Sequence, residues 1–261
     1  MATGHYAQIH EAWSMKHGAK NSSKLQTSGF KLTRSADEFK DQTYFIYNIK
    51  QEQLPHLLFP IGVIKKNQVR SLARKIGLPN AEKKESMGLC FVGRIRLKDF
   101  LGQKLKVKRG EILEQNGKTI GQHEGLQNYT IGQRQGIKVG AKGPYFVFKK
   151  DLKANKLYVT NNPNDERLMV KEVGLHSVNW LTNPWNMEHG TWNTKRKNPQ
   201  PTTYNLTGRF RHQGELVPLS ISKIKNDLYQ VVFQYPQKAV ALGQSLVLYK
   251  GKECLGGGVI G

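Results

Sequence analysis

The clearest periodicity in the chain lies at Val69, Leu72, Ala73 and Ile76, which fall at i, i+3, i+4 and i+7 and predict one amphipathic helix. Asn67 is its expected N-cap, Gly77 suits the position just past its end, and Pro79 prevents continuation. Upstream, Tyr44, Phe45 and Tyr47 followed by Leu54, Leu57, Leu58 and Phe59 predict a second helical run, closed by Pro60. Residues 1–7 read as the end of a strand turning into a loop. Asn21-Ser22-Ser23 and Thr27-Ser28-Gly29 extend that loop as polar chain.

From about residue 100 the pattern changes to short β-type runs. Residues 111–114 and 118–120 flank Asn116-Gly117, a strong hairpin signal because both turn residues tolerate positive φ. Residues 145–148 and 156–159 bracket a polar turn. Residues 219–224 and 228–233 surround Asn226-Asp227, and 245–249 and 253–255 surround Lys250-Gly251. Short strands joined by tight turns predict a barrel or sandwich. Residues 183–203, rich in Pro, Asn and Trp, read as a long loop. The expected plan is α+β and multidomain: α/β material over 1–93, a small β-rich module over 94–163, and a C-terminal β-barrel over 164–261.

Charge changes the picture more than composition does. Forty-one Lys and Arg against 19 Asp and Glu leave +22, which points to a polyanionic partner, with nucleic acid the first candidate. Residues 1–100 carry 17 basic and 8 acidic side chains, residues 101–200 also 17 and 8, and residues 201–261 carry 7 and 3. The excess is therefore spread over the body and not held in a tail, which suggests an extended phosphate-tracking surface. Only two cysteines, Cys90 and Cys254, exclude a disulfide scaffold and a four-cysteine zinc site. The eight histidines lack metal-ligand spacing, so no metal site is expected. With no signal-like or membrane-spanning run, a reducing cytoplasm is the expected compartment.

Cys90 sits between Gly88 and Gly93, with Lys83, Lys84, Arg94 and Arg96 nearby, a setting that favours the thiolate. Set against this, Leu89 and Phe91 suit a buried apolar cysteine, and spacing alone favours that reading, since no base is paired with it. Cys254 alternates with apolar neighbours as in a packed strand. The glycines at 256–258 are not a nucleotide loop, because no helix follows them. Gly132-Gln133-Arg134-Gln135-Gly136 could approach a phosphate, but such basic glycine-bounded loops are common in β proteins.

Seven motifs come in register: Ala2-Thr3-Gly4-His5-Tyr6, Lys40-Asp41-Gln42 with Tyr44-Phe45, Leu58-Phe59-Pro60, Gly88-Leu89-Cys90-Phe91-Val92-Gly93, Tyr129-Thr130-Ile131-Gly132-Gln133-Arg134, Gly243-Gln244-Ser245 and Cys254-Leu255-Gly256-Gly257-Gly258. Together, over essentially the whole chain, they resemble the tRNA-specific 2-thiouridylase family. The resemblance implies sulfur transfer to C2 of the wobble uridine of certain tRNAs, with ATP (and Mg2+) adenylating the C2 oxygen. It implies that Cys90 carries the persulfide, Gly4 lines the ATP site and His5 touches tRNA. It further implies tRNA contacts at Lys40, Asp41, Gln42, Arg209, Phe210 and Gln244, with Phe210 able to stack on an unpaired base. The implied partners are tRNA and a sulfur-carrier protein or cysteine desulfurase, with no membrane.

There are departures from the family's pattern. Its Ser-Gly-Gly-x-Asp-Ser phosphate loop is not in this sequence, and no cysteine precedes Cys90 to serve as the second catalytic thiol. Residues 1–93 then correspond to the C-terminal remnant of an ATP-pyrophosphatase-type α/β domain, and the chain is expected to bind tRNA but be inactive alone. The alternative expectation is a non-catalytic tRNA- or RNA-binding module, or one half of a split enzyme with a separate N-terminal half. Phe210 stands where tyrosine is usual, and Met87 replaces a small or polar residue.

Overall fold

A computed structural model describes residues 1–17, 23–83, 108–137, 139, 143–186 and 206–261. The chain divides into two compact units. One comprises Met1–Glu82, Lys171–Tyr235 and Leu242–Gly261, and the other Lys83–Val170 and Pro236–Ala241.

In the first unit, β1 (Ala7–His17) and β2 (Ser23–Arg34) form an antiparallel hairpin, in register from Ala7 opposite Arg34 to His17 opposite Ser23. Thr27, Ser28 and Gly29 therefore lie in a strand, where polar loop was expected. β-branched Thr is at home in a ladder, and the irregular step falls beside Gly29, whose φ is +123°. The aromatic run after Gln42 is not one helix. It forms a four-residue turn, α1 (Thr43–Ile46), and then a 3-10 turn over Gln51–His56. Pro55 lies within that second turn, and its missing N–H and ring exclude a continuous α-helix there.

Helix α2 (Lys66–Lys75) begins one residue before the expected cap, Asn67. The Asp37 carboxylate accepts the Lys66 N–H at 2.9 Å, a first-turn donor met from outside the expected cap, and the Gln68 side chain accepts the N–H of Lys65, the actual cap residue, at 3.0 Å. Gly77, at φ +70°, ends the helix as expected.

The barrel is a ring of six strands. After β7 (Met169–Trp180) come β8 (Leu206–Arg209), β9 (Val217–Lys225), β10 (Leu228–Lys238), β11 (Ser245–Lys250) and β12 (Glu253–Ile260). The order is β12-β11-β8-β9-β10-β7, and β12 pairs with β7 to close the ring. The sequence pattern missed β7 and β8 but located the turns of the other four. Closure depends on Gly256: its φ is +124°, and a Cβ there would stand 2.0 Å from the Asn179 carbonyl oxygen. The hairpin of β1 and β2 joins the same sheet where Glu253 pairs with Thr33. Its buried cluster mixes both halves of the unit: Ala7, Leu32, Tyr47, Leu54 and Phe59 pack with Leu181, Val247, Tyr249 and Cys254.

The second unit is a four-stranded sheet in the order β4-β3-β6-β5, from β3 (Gly110–Glu114), β4 (Thr119–His123), β5 (Phe146–Asp151) and β6 (Lys156–Thr160). The Asn116-Gly117 hairpin forms as the turn chemistry predicts. Ile112, Val147, Leu157 and Val159 form its core with Leu126, Tyr129 and Tyr145. The glycine-bounded loop after Tyr129 is used for packing: a Cβ on Gly132 would stand 1.8 Å from the Ala239 Cβ.

Candidate nucleic-acid interface

The segment from residue 35 to 47 has little regular structure of its own, so side chains must hold it. Asp41 is 1% exposed and Arg209, at the end of β8, 5%. The Arg209 Nη1 donates to Asp41 Oδ2 at 2.9 Å. Thr43 Oγ1 donates to the same oxygen at 2.8 Å, while the backbone N–H groups of Ser35 and Thr43 donate to Oδ1 at 3.2 and 3.5 Å. A buried carboxylate is tolerated only when so compensated. Beneath it lies Tyr249, fully buried, its hydroxyl 3.0 Å from Thr43 Oγ1 and its ring 5.9 Å from the guanidinium. Burial raises the Tyr249 phenol well above its ordinary range and pushes the neighbouring Cys254 thiol up to about 12. Cys254 is thus an inert packing group.

Gln42 is tied to the first strand in both directions. Tyr6 N–H donates to Gln42 Oε1 and Gln42 N–H donates to the Tyr6 carbonyl, each at 2.9 Å. That places Gly4 and His5 beside the loop. Gly4 is exposed, with nothing within 4 Å of where a Cβ would stand. The His5 imidazole lies 2.6 Å from Thr3 Oγ1 and edge-on to Phe59. On the other side, the Tyr44 hydroxyl reaches the carbonyls of Phe210 and Ser245, both at 3.2 Å. Burial raises the Tyr44 phenol, Tyr47 adds to this, and Arg211 opposes it. Gln244 precedes Ser245, and its carbonyl accepts the Ile260 N–H at 2.8 Å.

Of the residues singled out in the sequence, Gly4, His5, Lys40, Asp41, Gln42, Arg209, Phe210 and Gln244 fall in the first unit, and these bonds join Asp41 to Arg209, Gln42 to Tyr6, and Tyr44 to the Phe210 and Ser245 carbonyls. Cys90 lies outside the described residues. Asp41 and Arg209 turn toward each other and away from solvent. Phe210 is only 9% exposed, edge-on to Phe233 at 5.9 Å and covered by Arg211 at 5.4 Å. What sequence reading did not single out is the surface beside them: Phe39, Phe45, Arg211, His212 and Gln213. Phe45 reads as part of a helical aromatic run and of a family motif, with no role of its own, and it is 57% exposed. Among the described residues no three His, Cys, Asp or Glu gather as a metal site, and no helix is long and apolar enough to cross a membrane.

The fold and this seam define a class: an α+β protein whose N-terminal segment is braced against a six-stranded barrel, with a β-rich module inserted between them in sequence. Residues 1–94 match the model of the tRNA methyl transferase HUP domain, 98–161 that of the tRNA methyl transferase PRC-barrel domain, and 173–260 that of the aminomethyltransferase beta-barrel domain. All of this chain aligns with proteins named tRNA-specific 2-thiouridylase MnmA. Identity is 36% to that of Nitrosomonas eutropha, of which 66% is covered. It is 37% to that of Ralstonia nicotianae and 36% to those of Streptococcus pyogenes, with 64% covered in each. The chain belongs to the tRNA-specific 2-thiouridylase family, and it spans just under two thirds of the length of these relatives.

Proposed function

We propose that the chain is the tRNA-binding and sulfur-delivering portion of a cytoplasmic tRNA-uridine 2-sulfurtransferase. In this reading the outer sulfur of a Cys90 persulfide, loaded by a sulfur carrier or cysteine desulfurase, attacks C2 of the adenylated wobble uridine. AMP leaves with the former O2, and a second thiol then cleaves the S–S bond, leaving 2-thiouridine and a disulfide. Lys40, Gln42, His5 and Gln244 contact the tRNA, and Gly4 borders the nucleotide. Asp41 and Arg209 act as positioning residues, since their charges are spent on each other.

The observation that carries this reading is the bonding around Tyr44 and Gln42, which ties four segments far apart in sequence into one seam. Spread positive charge supports a phosphate-rich partner. The Ser-Gly-Gly-x-Asp-Ser loop is not among these 261 residues, so the chain by itself binds tRNA without adenylating it. Filter binding of tRNA to the purified chain tests the first half: affinity must fall steeply with salt. Incubation with ATP, a sulfur donor and tRNA tests the second, where 2-thiouridine formation by the chain alone would refute it. Cys90→Ser must keep tRNA binding and abolish sulfur transfer once the adenylating function is supplied.

A further inference from the structure

Phe39 is 81% exposed and Phe45 57%, although both lie in the stretch braced by the Asp41–Arg209 pair and the Tyr44 hydroxyl. Scattered exposed apolar residues need no explanation, but both of these residues are tied to one barrel loop. The Phe45 ring meets the His212 imidazole at 4.5 Å, tilted by 39°, so two flat groups already lie against each other at the surface. The Phe39 carbonyl accepts a hydrogen bond from the Gln213 side chain at 3.2 Å, which holds Phe39 to the same barrel loop. Gln213 is itself at φ +59°, a conformation the loop must keep to present that amide. Cations stand close by: Arg211 covers Phe210, and Lys40 lies near enough to act on His212. Burial first, then Arg209, lower the His212 pKa, Asp41 opposes them and Lys40 adds a smaller lowering, which favours the neutral ring.

We infer that Phe39, Phe45 and His212 form a stacking platform for unpaired bases of RNA, with Lys40 and Arg211 on the adjoining phosphates. The inference rests on the tRNA-binding reading and deepens it. It moves the stacking role from Phe210, whose ring is spent on Phe233, to rings that solvent can reach. Aromatic faces select single-stranded over paired RNA because only an unstacked base offers its π-face. The rigid brace beneath reduces the ordering cost of binding.

The test compares two RNAs carrying equal numbers of phosphates, a hairpin with an unpaired 2-aminopurine loop and a blunt duplex. The Phe39→Leu/Phe45→Leu chain must lose on the order of tenfold affinity for the hairpin and keep its duplex affinity. Phe39→Trp/Phe45→Trp must retain hairpin affinity and quench the loop fluorescence. Lys40→Ala must weaken both RNAs alike and reduce the salt slope by about one. Unchanged hairpin affinity in the Leu variant, or equal loss on both RNAs, overturns the platform while leaving tRNA binding standing. A wild-type chain that binds neither RNA overturns both.

Discussion

Helix α2 and the α1 segment invert the usual relation between pattern and structure. α2 has the best amphipathic periodicity in the chain, yet it buries no residue: Leu72 is 52% exposed and Ile76 61%. The α1 segment is all that is α-helical of the run expected from Tyr44, and it is four residues long. Nevertheless it holds Thr43 fully buried, flanks the Asp41–Arg209 pair and carries Tyr44 to two barrel carbonyls. Periodicity reports that a face exists, not that anything covers it. Long-range hydrogen bonds to a barrel can order a segment that propensity would leave as loop.

The sharpest way to break this contrast is to remove one partner of the pair. Asp41→Ala leaves the Arg209 guanidinium buried and uncompensated, and is expected to cost about 3–5 kcal/mol in urea unfolding. The Asp41→Ala/Arg209→Met double variant must recover part of that loss. Gly62 packs against the start of β1 beside the seam: its carbonyl accepts the Ala36 N–H, and a Cβ there would stand 1.6 Å from the Ala7 carbonyl oxygen. Gly62→Ala is expected to cost about 1–3 kcal/mol by the same measurement. Tyr44→Phe removes a single donor shared by two carbonyls and should cost about 1 kcal/mol. By contrast, Leu72→Ser and Ile76→Ser on α2 should stay within about 0.5 kcal/mol of the parent. A large loss there would mean that the α2 face is covered, and the comparison would fail.

The smallest effect is one of pH. Because the folded His212 binds its proton more weakly than the unfolded side chain does, the unfolded state gains protons as pH falls below 6.5, and stability falls with it. His212→Gln should flatten that part of the stability profile and leave stability above pH 7 unchanged.

The turns of the barrel were legible in the sequence because Asn226-Asp227 and Lys250-Gly251 act within four residues, as Asn116-Gly117 does in the second unit. Its closure was not, since β7 carries no clean alternation and its ladder with β12 passes through Gly256, whose need for a glycine is set by the Asn179 carbonyl. The candidate site was legible as separate segments through a resemblance spread along the chain. The salt bridge between Asp41 and Arg209 was not legible, because two charged residues 168 positions apart carry no local sign of burial. The exposure of Phe45, though the residue stood in one of the motifs, was not legible for the opposite reason: an apolar residue in an apolar run looks like core.

Strand β12 sets an order of events during synthesis. Glu253 bonds Lys31 across 222 residues and also accepts the Thr182 hydroxyl, while β12 supplies the last ladder of the barrel. Closing so long a loop costs about 3 kcal/mol more entropy than closing a ten-residue one, and none of it is recovered until residue 253 has left the ribosome. The β1–β2 hairpin can pair early. The seam around Asp41, which packs with Tyr249, cannot, so the nascent chain carries the segment from residue 35 to 47 unbraced until translation has passed the barrel's closing strand.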